Sequence, residues 1–219
     1  RSQEGRYSEV LAIGRQATVH HPDAPLTLLW TAQAHEQLAD VPAAAADYVA
    51  YLESSNGEPD ERTTFALRRL LRLSLQLGQV DTARSSLNDL QVRAALTRED
   101  GCSEAKLLRM EGDADAAWEL VQALLAEQPS NVEVLELHGT LAFDRGEDDV
   151  AESDLRQVLE SQPWNKGAHY RLAQILQRTG REDEADQHFR ENRRLTNLSV
   201  RILSLQRETS TDPQQEIAR

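Results

Sequence analysis

Small and bulky apolar residues return along this chain in a fixed register. Ala83, Ala117, Ala151 and Ala185 are each 34 residues apart. Four positions after each alanine stands a large apolar residue: Leu87, Val121, Leu155 and Phe189. Residues four apart share one face of an α-helix. The register is punctuated by Gly78, Gly112, Gly146 and Gly180, each five residues before an alanine, and by Pro129 and Pro163. The pattern predicts helices in pairs. Glycine ends the first helix, where positive φ is costly for other residues. Alanine lies where the two helices approach closely, and the bulky residue fills the space beside it. Proline closes the second helix, because it cannot continue one.

A 34-residue period with this order of small, large and turn residues resembles the tetratricopeptide repeat family. The segment 132–165 follows the family pattern through Leu135, Gly139, Ala151, Leu155 and Pro163. The segment 166–196 follows it through Ala173, Leu176, Ala185 and Phe189, with Asn197 where proline is expected. The segment 64–97 carries Leu67, Leu71, Ala83, Leu87 and Leu90. The segment 98–131 keeps Ala105, Leu108, Ala117 and Val121. It sets Gly101 and Glu104 where large apolar residues are expected, which predicts weak packing of its first helix. Upstream, 25–63 is read as a unit with Leu28, Ala32, Ala44 and Tyr48 in register, Ala39 in the glycine position and an enlarged loop over Ser54–Pro59. Residues 1–24, with Gly5, Tyr7, Val10, Ala17 and Pro22, match the second half of a unit. A capping helix over 197–208, with Leu198, Ile202 and Leu205 at helical spacing, and a polar tail complete 197–219. The resemblance implies an all-α fold, a right-handed α-solenoid of antiparallel helix pairs with about five and a half repeats.

Composition narrows the function. The net charge is −13, which opposes binding to a nucleic-acid backbone or an anionic membrane. No apolar run approaches the ~20 residues of a membrane span. Only Lys106 and Lys166 are lysines; the preference for arginine reads as a bias of the source genome, taken as bacterial. A chain that starts at Arg1 without methionine is expected to be a piece of a longer product. Its compartment stays open, cytoplasm being favoured over periplasm. Cys102 is the one cysteine, which rules out an internal disulfide and reads as a small buried thiol. Acidic pairs such as Asp148 and Asp149 begin second helices, where the helix dipole favours negative charge. His20 and His21 precede Pro22 at a helix end and suit its last carbonyls better than a metal. His138 and His169 fall at packing positions. Trp30, Trp118 and Trp164 lie off the main core register, each covering a seam between repeats or marking a contact surface. No phosphate-binding loop, zinc motif or haem motif occurs, so no cofactor or metal is expected and the chain reads as non-enzymatic.

In the family, first helices line the concave side of the superhelix and partners bind there. The resemblance places Phe65, Arg68, Arg72, Gln76, Cys102, Lys106, Arg109 and Met110 on that side, then Glu136, Thr140, Phe143, Asp144, Tyr170, Gln174 and Arg178. Arg68, Arg72, Lys106 and Arg109 stand out against the acidic whole. They form either a basic pocket for an acidic segment or C-terminal carboxylate, or ordinary salt bridges to Glu99, Glu104 or Glu111. The Lys-and-Asn clamp of chaperone-binding members is missing, since Leu29, Gln33 and Ser103 occupy parts of it. The expected partner is another protein or peptide. Two other readings stand beside it: a regulatory or substrate-presenting region of a larger enzyme, and self-association through open ends of the array.

Overall fold

The computed structural model describes residues 3–20, 25–55 and 60–210, without the side chains of 3, 4, 15, 18–20 and 206–210. His21, Pro22, the loop residues 56–59 and the tail beyond 210, Ile217 included, lie outside the described residues, as does the side chain of His20. All regular structure among the described residues is helical, in two compact units, 1–111 and 112–219. The first holds α1 (Gln3–His20), α2 (Pro25–Gln37), α3 (Val41–Ser54), α4 (Glu61–Leu77), α5 (Val80–Arg93) and α6 (Arg98–Glu111). The second holds α7 (Ala114–Glu127), α8 (Val132–Arg145), α9 (Asp148–Ser161), α10 (Lys166–Arg178) and α11 (Glu182–Ser210).

Short polar residues fix where these helices start. Asp40, Asp60, Asp113, Asn131 and Asn165 each accept a hydrogen bond from a backbone N–H of the first turn, satisfying a donor the helix cannot pair. The stops repeat too. Gly78, Gly112, Gly146 and Gly180 all take φ between 73° and 89°. After α4, α8 and α10, the N–H of the residue beyond the glycine returns to a carbonyl five residues back, as in Gln79 to Ser74 at 2.8 Å. Ala39 makes the same turn at φ 57°, with Asp40 N–H bonded to His35 O at 2.9 Å. The missing glycine therefore changes the strain of this turn and not its shape.

Packing runs from each helix to its chain neighbours within a unit. In the first unit, Ala32, Ala44, Tyr48 and Leu70 form one buried layer from α2, α3 and α4. Leu67, Leu71, Ala83, Leu87, Leu90 and Leu107 form the next from α4, α5 and α6. In the second, Leu135, Ala142, Ala151, Leu155, Val158 and Ile175 are one layer, and Leu172, Leu176 and Ala185 another, closed by Phe189. Truncating a leucine as deeply buried as Leu87 to alanine costs about 2–5 kcal/mol. Gly139 marks a close crossing of α8 on α9. A Cβ there would stand 3.0 Å from Asp154 Cβ and 3.2 Å from Leu155 Cγ.

One expectation stands and one changes. The first helix of 98–131 was expected to pack weakly, and α6 meets α4 and α5 less extensively than paired helices such as α4 and α5 meet each other. Thr97 and Asp100 form a reciprocal cap, with Thr97 N–H donating to Asp100 Oδ2 at 2.8 Å and Asp100 N–H to Thr97 Oγ1 at 3.3 Å. The separate capping helix over 197–208 is instead the distal part of α11, a single 29-residue helix. Asn197 replaces the family's proline and keeps its backbone N–H, so nothing stops the helix there.

Candidate functional site

The proposed basic residues lie on α4 and α6, neighbouring helices of the first unit. Arg68 is held by an intramolecular acid. Its Nε donates to Asp100 at 2.9 and 3.1 Å, and its Nη2 to Ala95 O at 3.2 Å. Asp100 is only 3 % exposed and also accepts from the Thr97 hydroxyl at 2.8 Å. The acid that takes Arg68 is thus Asp100, and not Glu99, Glu104 or Glu111. Glu111 pairs with Arg84 of α5, whose guanidinium pulls its carboxyl below the usual carboxylate range. Arg72, one turn along α4 from Arg68, is exposed and has no ion-pair partner among the described residues. Lys106 is half-buried and Arg109 exposed; both make contacts on α6 or beyond it. Cys102, placed on the same face by the resemblance, is buried instead.

Further along the same kind of face in the first unit, Phe65 is partly exposed. Its ring meets Tyr48 edge-on at 6.4 Å and lies 5.7 Å below the Arg69 guanidinium. Arg69 Nε donates to Glu36 Oε2 at 2.8 Å, and the buried Tyr48 hydroxyl donates to the same oxygen at 3.1 Å. Burial, then the Glu36 charge, pushes the Tyr48 phenol well above its ordinary range, so it acts as a donor.

In the second unit the predicted residues gather on α8 and α10. The Arg178 guanidinium lies 4.5 Å over the Phe143 ring and pairs with Asp148. Tyr170, Gln174 and Arg178 follow at steps of four on one face of α10. Gln174 Nε2 donates to Tyr170 OH at 3.5 Å, and the Tyr170 ring stands edge-on to Phe189 at 6.1 Å. Thr140, also assigned to this side, is buried, its hydroxyl turned back to Glu136 O.

The histidines and tryptophans divide by burial. His138 is buried, bonded through Nδ1 to Asp154 at 2.5 Å and stacked on Trp118 at 4.5 Å, and the Arg145 guanidinium lies 5.1 Å over the Trp118 ring. Trp118 thereby covers the α7–α8 seam. His169 Nε2 donates to Pro163 O at 3.0 Å, since a carbonyl only accepts. His169 and His188 share one proton between Nδ1 atoms 2.8 Å apart. Burial, then the His169 charge, lowers the His188 pKa below its ordinary value of 6.5. Trp164 is exposed, as is Trp30 at 58 %. Among the described residues no group of three His, Cys, Asp or Glu side chains is placed to hold a metal, and no helix is long and apolar enough to cross a membrane.

The sequence reading missed one system. Arginine–carboxylate pairs cross the boundaries between consecutive repeats: Arg69 to Glu36, Arg68 to Asp100, Arg84 to Glu111, Arg145 to Asp115, Arg178 to Asp148 and Arg181 to Glu152. Their partners lie 27 to 33 residues apart, close to one period. Arg69, Arg84 and Arg181 are bidentate. A planar guanidinium makes that fork and an ammonium cannot, which gives the arginine preference a structural use. The signal was present as acids and arginines recurring near the period.

Comparison with known proteins bears on the fold. A tetratricopeptide repeat model matches residues 137–194. A tetratricopeptide repeat protein from Parabacteroides merdae is 20 % identical with a TM-score of 0.69, covering 93 % of this chain and 79 % of that one. A thermophilic TPR protein from Thermus thermophilus is 20 % identical with a TM-score of 0.61, over 84 % of this chain and 98 % of that one. A chain of the APC/C hetero-tetramer Cut9–Hcn1 is 16 % identical with a TM-score of 0.68; the match covers 95 % of this chain and 41 % of that one. A search of curated proteins found no match. Residues 137–194 thus match the tetratricopeptide repeat family, and the repeat register and the helix pairs with their glycine turns give the chain the fold of tetratricopeptide repeat proteins.

Proposed function

We propose that this chain is a non-catalytic module that binds a segment of another protein on its first-helix faces. The observation that carries the reading is which residues stay uncovered there. The inward-packed positions of α4 and α10 are mostly Leu, Ile and Ala, whereas Phe65, Arg72, Tyr170 and Arg178 remain exposed to solvent. Tyrosine, phenylalanine and arginine are enriched at protein interfaces. A related fold in the Cut9–Hcn1 hetero-tetramer supports a protein partner.

The preferred partner segment is acidic. Arg72, with Lys106 and Arg109 on the neighbouring first helix, supplies positive charge in a protein of net charge −13. Arg68 acts differently: held by Asp100, it positions α6 beside α4. In the second unit, Phe143, Tyr170, Gln174 and Arg178 offer an aromatic surface with one cation for a segment carrying an apolar anchor.

Fluorescence anisotropy with labelled peptides tests this. Acidic peptides with a free C-terminal carboxylate are expected to bind, and matched basic peptides are not. Arg72→Glu with Arg109→Glu should weaken the acidic peptides by about tenfold or more, equivalent to about 1.4 kcal/mol, with helicity unchanged. Binding that ignores peptide charge and survives the double variant would overturn the acidic-segment reading. Loss in Phe143→Ala with Tyr170→Ala would then assign the partner to the second unit.

A further inference from the structure

We propose that His169 and His188 form a proton-operated latch between α10 and α11, whose opening in acid turns Phe189 away from Tyr170 and switches off the second-unit face. The inference rests on the reading of that face as a binding surface.

The two helices are held differently along their length. Near the turn at Gly180, the buried residues Leu172, Leu176 and Ala185 close the pair with apolar contacts. Toward the start of α10 the contacts are polar and aromatic. His169 meets His188 through Nδ1 atoms 2.8 Å apart, and Tyr170 meets Phe189 edge-on at 6.1 Å. One turn further along α11, Asn192 Nδ2 donates to Lys166 O at 2.8 Å. His169 and Tyr170 are consecutive on α10, as His188 and Phe189 are on α11. The spacing of the two imidazoles therefore also sets the spacing of the two rings beside them.

Proton count decides whether the imidazole contact holds. His169 Nε2 donates to Pro163 O at 3.0 Å, so in the neutral ring its Nδ1 is an acceptor and His188 Nδ1–H the donor. A first added proton still leaves one hydrogen between the Nδ1 atoms, whichever ring carries the charge. A second leaves both Nδ1 atoms as donors. The bond is then lost and two cations face each other.

The charged groups around the pair offset that second proton only in part. Arg156 of α9 faces His188 and adds to the repulsion, while Glu184 of α11 opposes it. Glu191 of α11 faces His169. Both acids are already engaged, Glu184 with Arg156 at 3.0 Å and Glu191 with Arg194 at 2.6 Å. Burial and the His169 charge hold His188 below its ordinary 6.5, so the doubly charged pair forms only in acid. His169 is buried and keeps its bond to Pro163 in either charge state, because the carbonyl only accepts. His188 is half-buried and is the ring with a way out to water. Its departure moves the part of α11 that carries Phe189, and the edge-on support of Tyr170 goes with it. The apolar layer behind keeps the helices paired, so the change is local.

Nuclear magnetic resonance on the full chain tests the latch. The Tyr170–Phe189 ring contact should be seen at neutral pH and lost once both imidazoles are charged, at a pH below 6.5. The Tyr48–Phe65 ring contact of the first unit should persist there, which separates local opening from unfolding. In His188→Gln the amide donates to a neutral His169 or accepts from a charged one, so the Tyr170–Phe189 contact should survive in acid. His169→Gln should act alike. Fluorescence anisotropy reads the face, with a labelled acidic peptide carrying one phenylalanine whose binding is lost in Phe143→Ala with Tyr170→Ala. Its affinity should fall about fivefold or more over the same step, and not in His188→Gln. A Tyr170–Phe189 contact that outlasts the second protonation, disappears only together with Tyr48–Phe65, or is lost at the same pH in both Gln variants would overturn the latch. An affinity that ignores the step would overturn it too. A peptide that fails to bind at neutral pH would overturn the reading of the face instead, and the ring contacts still decide the latch.

Discussion

Among the described residues, Ala39 bears the clearest backbone strain, at φ 57°. An L-residue in the left-handed region costs about 1–2 kcal/mol, and the neighbouring turns avoid that cost with glycine. Ala39→Gly relieves it but adds about 0.4–1 kcal/mol of unfolded-state freedom. The expected result is a net gain of about 0.5–1 kcal/mol, read as a higher urea midpoint at unchanged slope. Ser74 gives a second case. Its hydroxyl is buried on α4 without a hydrogen-bond partner, which costs about 1–3 kcal/mol relative to a paired group. Ser74→Ala should therefore raise the urea midpoint, and a fall would mean that the hydroxyl is satisfied in solution. Gly139 runs the other way, because Gly139→Ala sets a methyl against the backbone-proximal Asp154 Cβ and should lower the melting temperature. Gly139 was legible from register alone. Ser74 was not, because nothing in the spacing distinguishes a paired hydroxyl from an orphaned one.

At the scale of a helix, α6 shows what spacing conveys and what it hides. The position of Ala105 on α6, like those of Ala117 and Val121 on α7, follows from the period, and all three are buried. The start of α6 depends instead on the Thr97–Asp100 cap and on Arg68 reaching across from α4. The cap could have been found as Thr-x-x-Asp. The cross-helix pair could not, because it needs the packing of two helices to be known first. Removing Arg68 leaves Asp100 as a buried charge without its cation, a change that costs about 3–5 kcal/mol in a fully buried pair. Arg68 is 30 % exposed, so Arg68→Ala is expected to cost about 2 kcal/mol. Asp100→Asn in the same background should cost little more, and a double-mutant cycle that returns no coupling would remove the pair from this role. The length of α11 carries the same lesson. A separate helix was read over 197–208, while the backbone at Asn197, which keeps its N–H, lets α11 run on unbroken.

For the whole molecule, acid should act in two stages. His188 is held below its ordinary pKa of 6.5, chiefly by burial. The unfolded chain then binds more protons than the folded one as pH falls through that value, so the stability is present above it and is lost on the way down to the folded pKa. Glu111 and Glu152 are held below 4.5 by Arg84 and Arg181, and their contribution is lost only below that pH. Thermal melts should therefore show an early decline as pH falls below about 6.5 that shrinks in His188→Gln, and a later one that the variant keeps. An early decline of the same size in the variant would remove His188 as its cause.

The arginine pairs between repeats restrict how such a chain can be cut and rejoined. From residue 25 to 196, each border between consecutive repeats is crossed by at least one such pair, at nearly a full period. A whole unit can be excised or duplicated with little disturbance when its two borders bring the same signs, whereas a transplanted unit with a serine in place of Glu36, Asp115 or Glu152 strands a cation at the joint. Two repeats of equal length and equal apolar pattern are thus not interchangeable parts. Lineages built by copying within one array will fit each other at their joints, and chimaeras between distant arrays will need those acids grafted along with the helices.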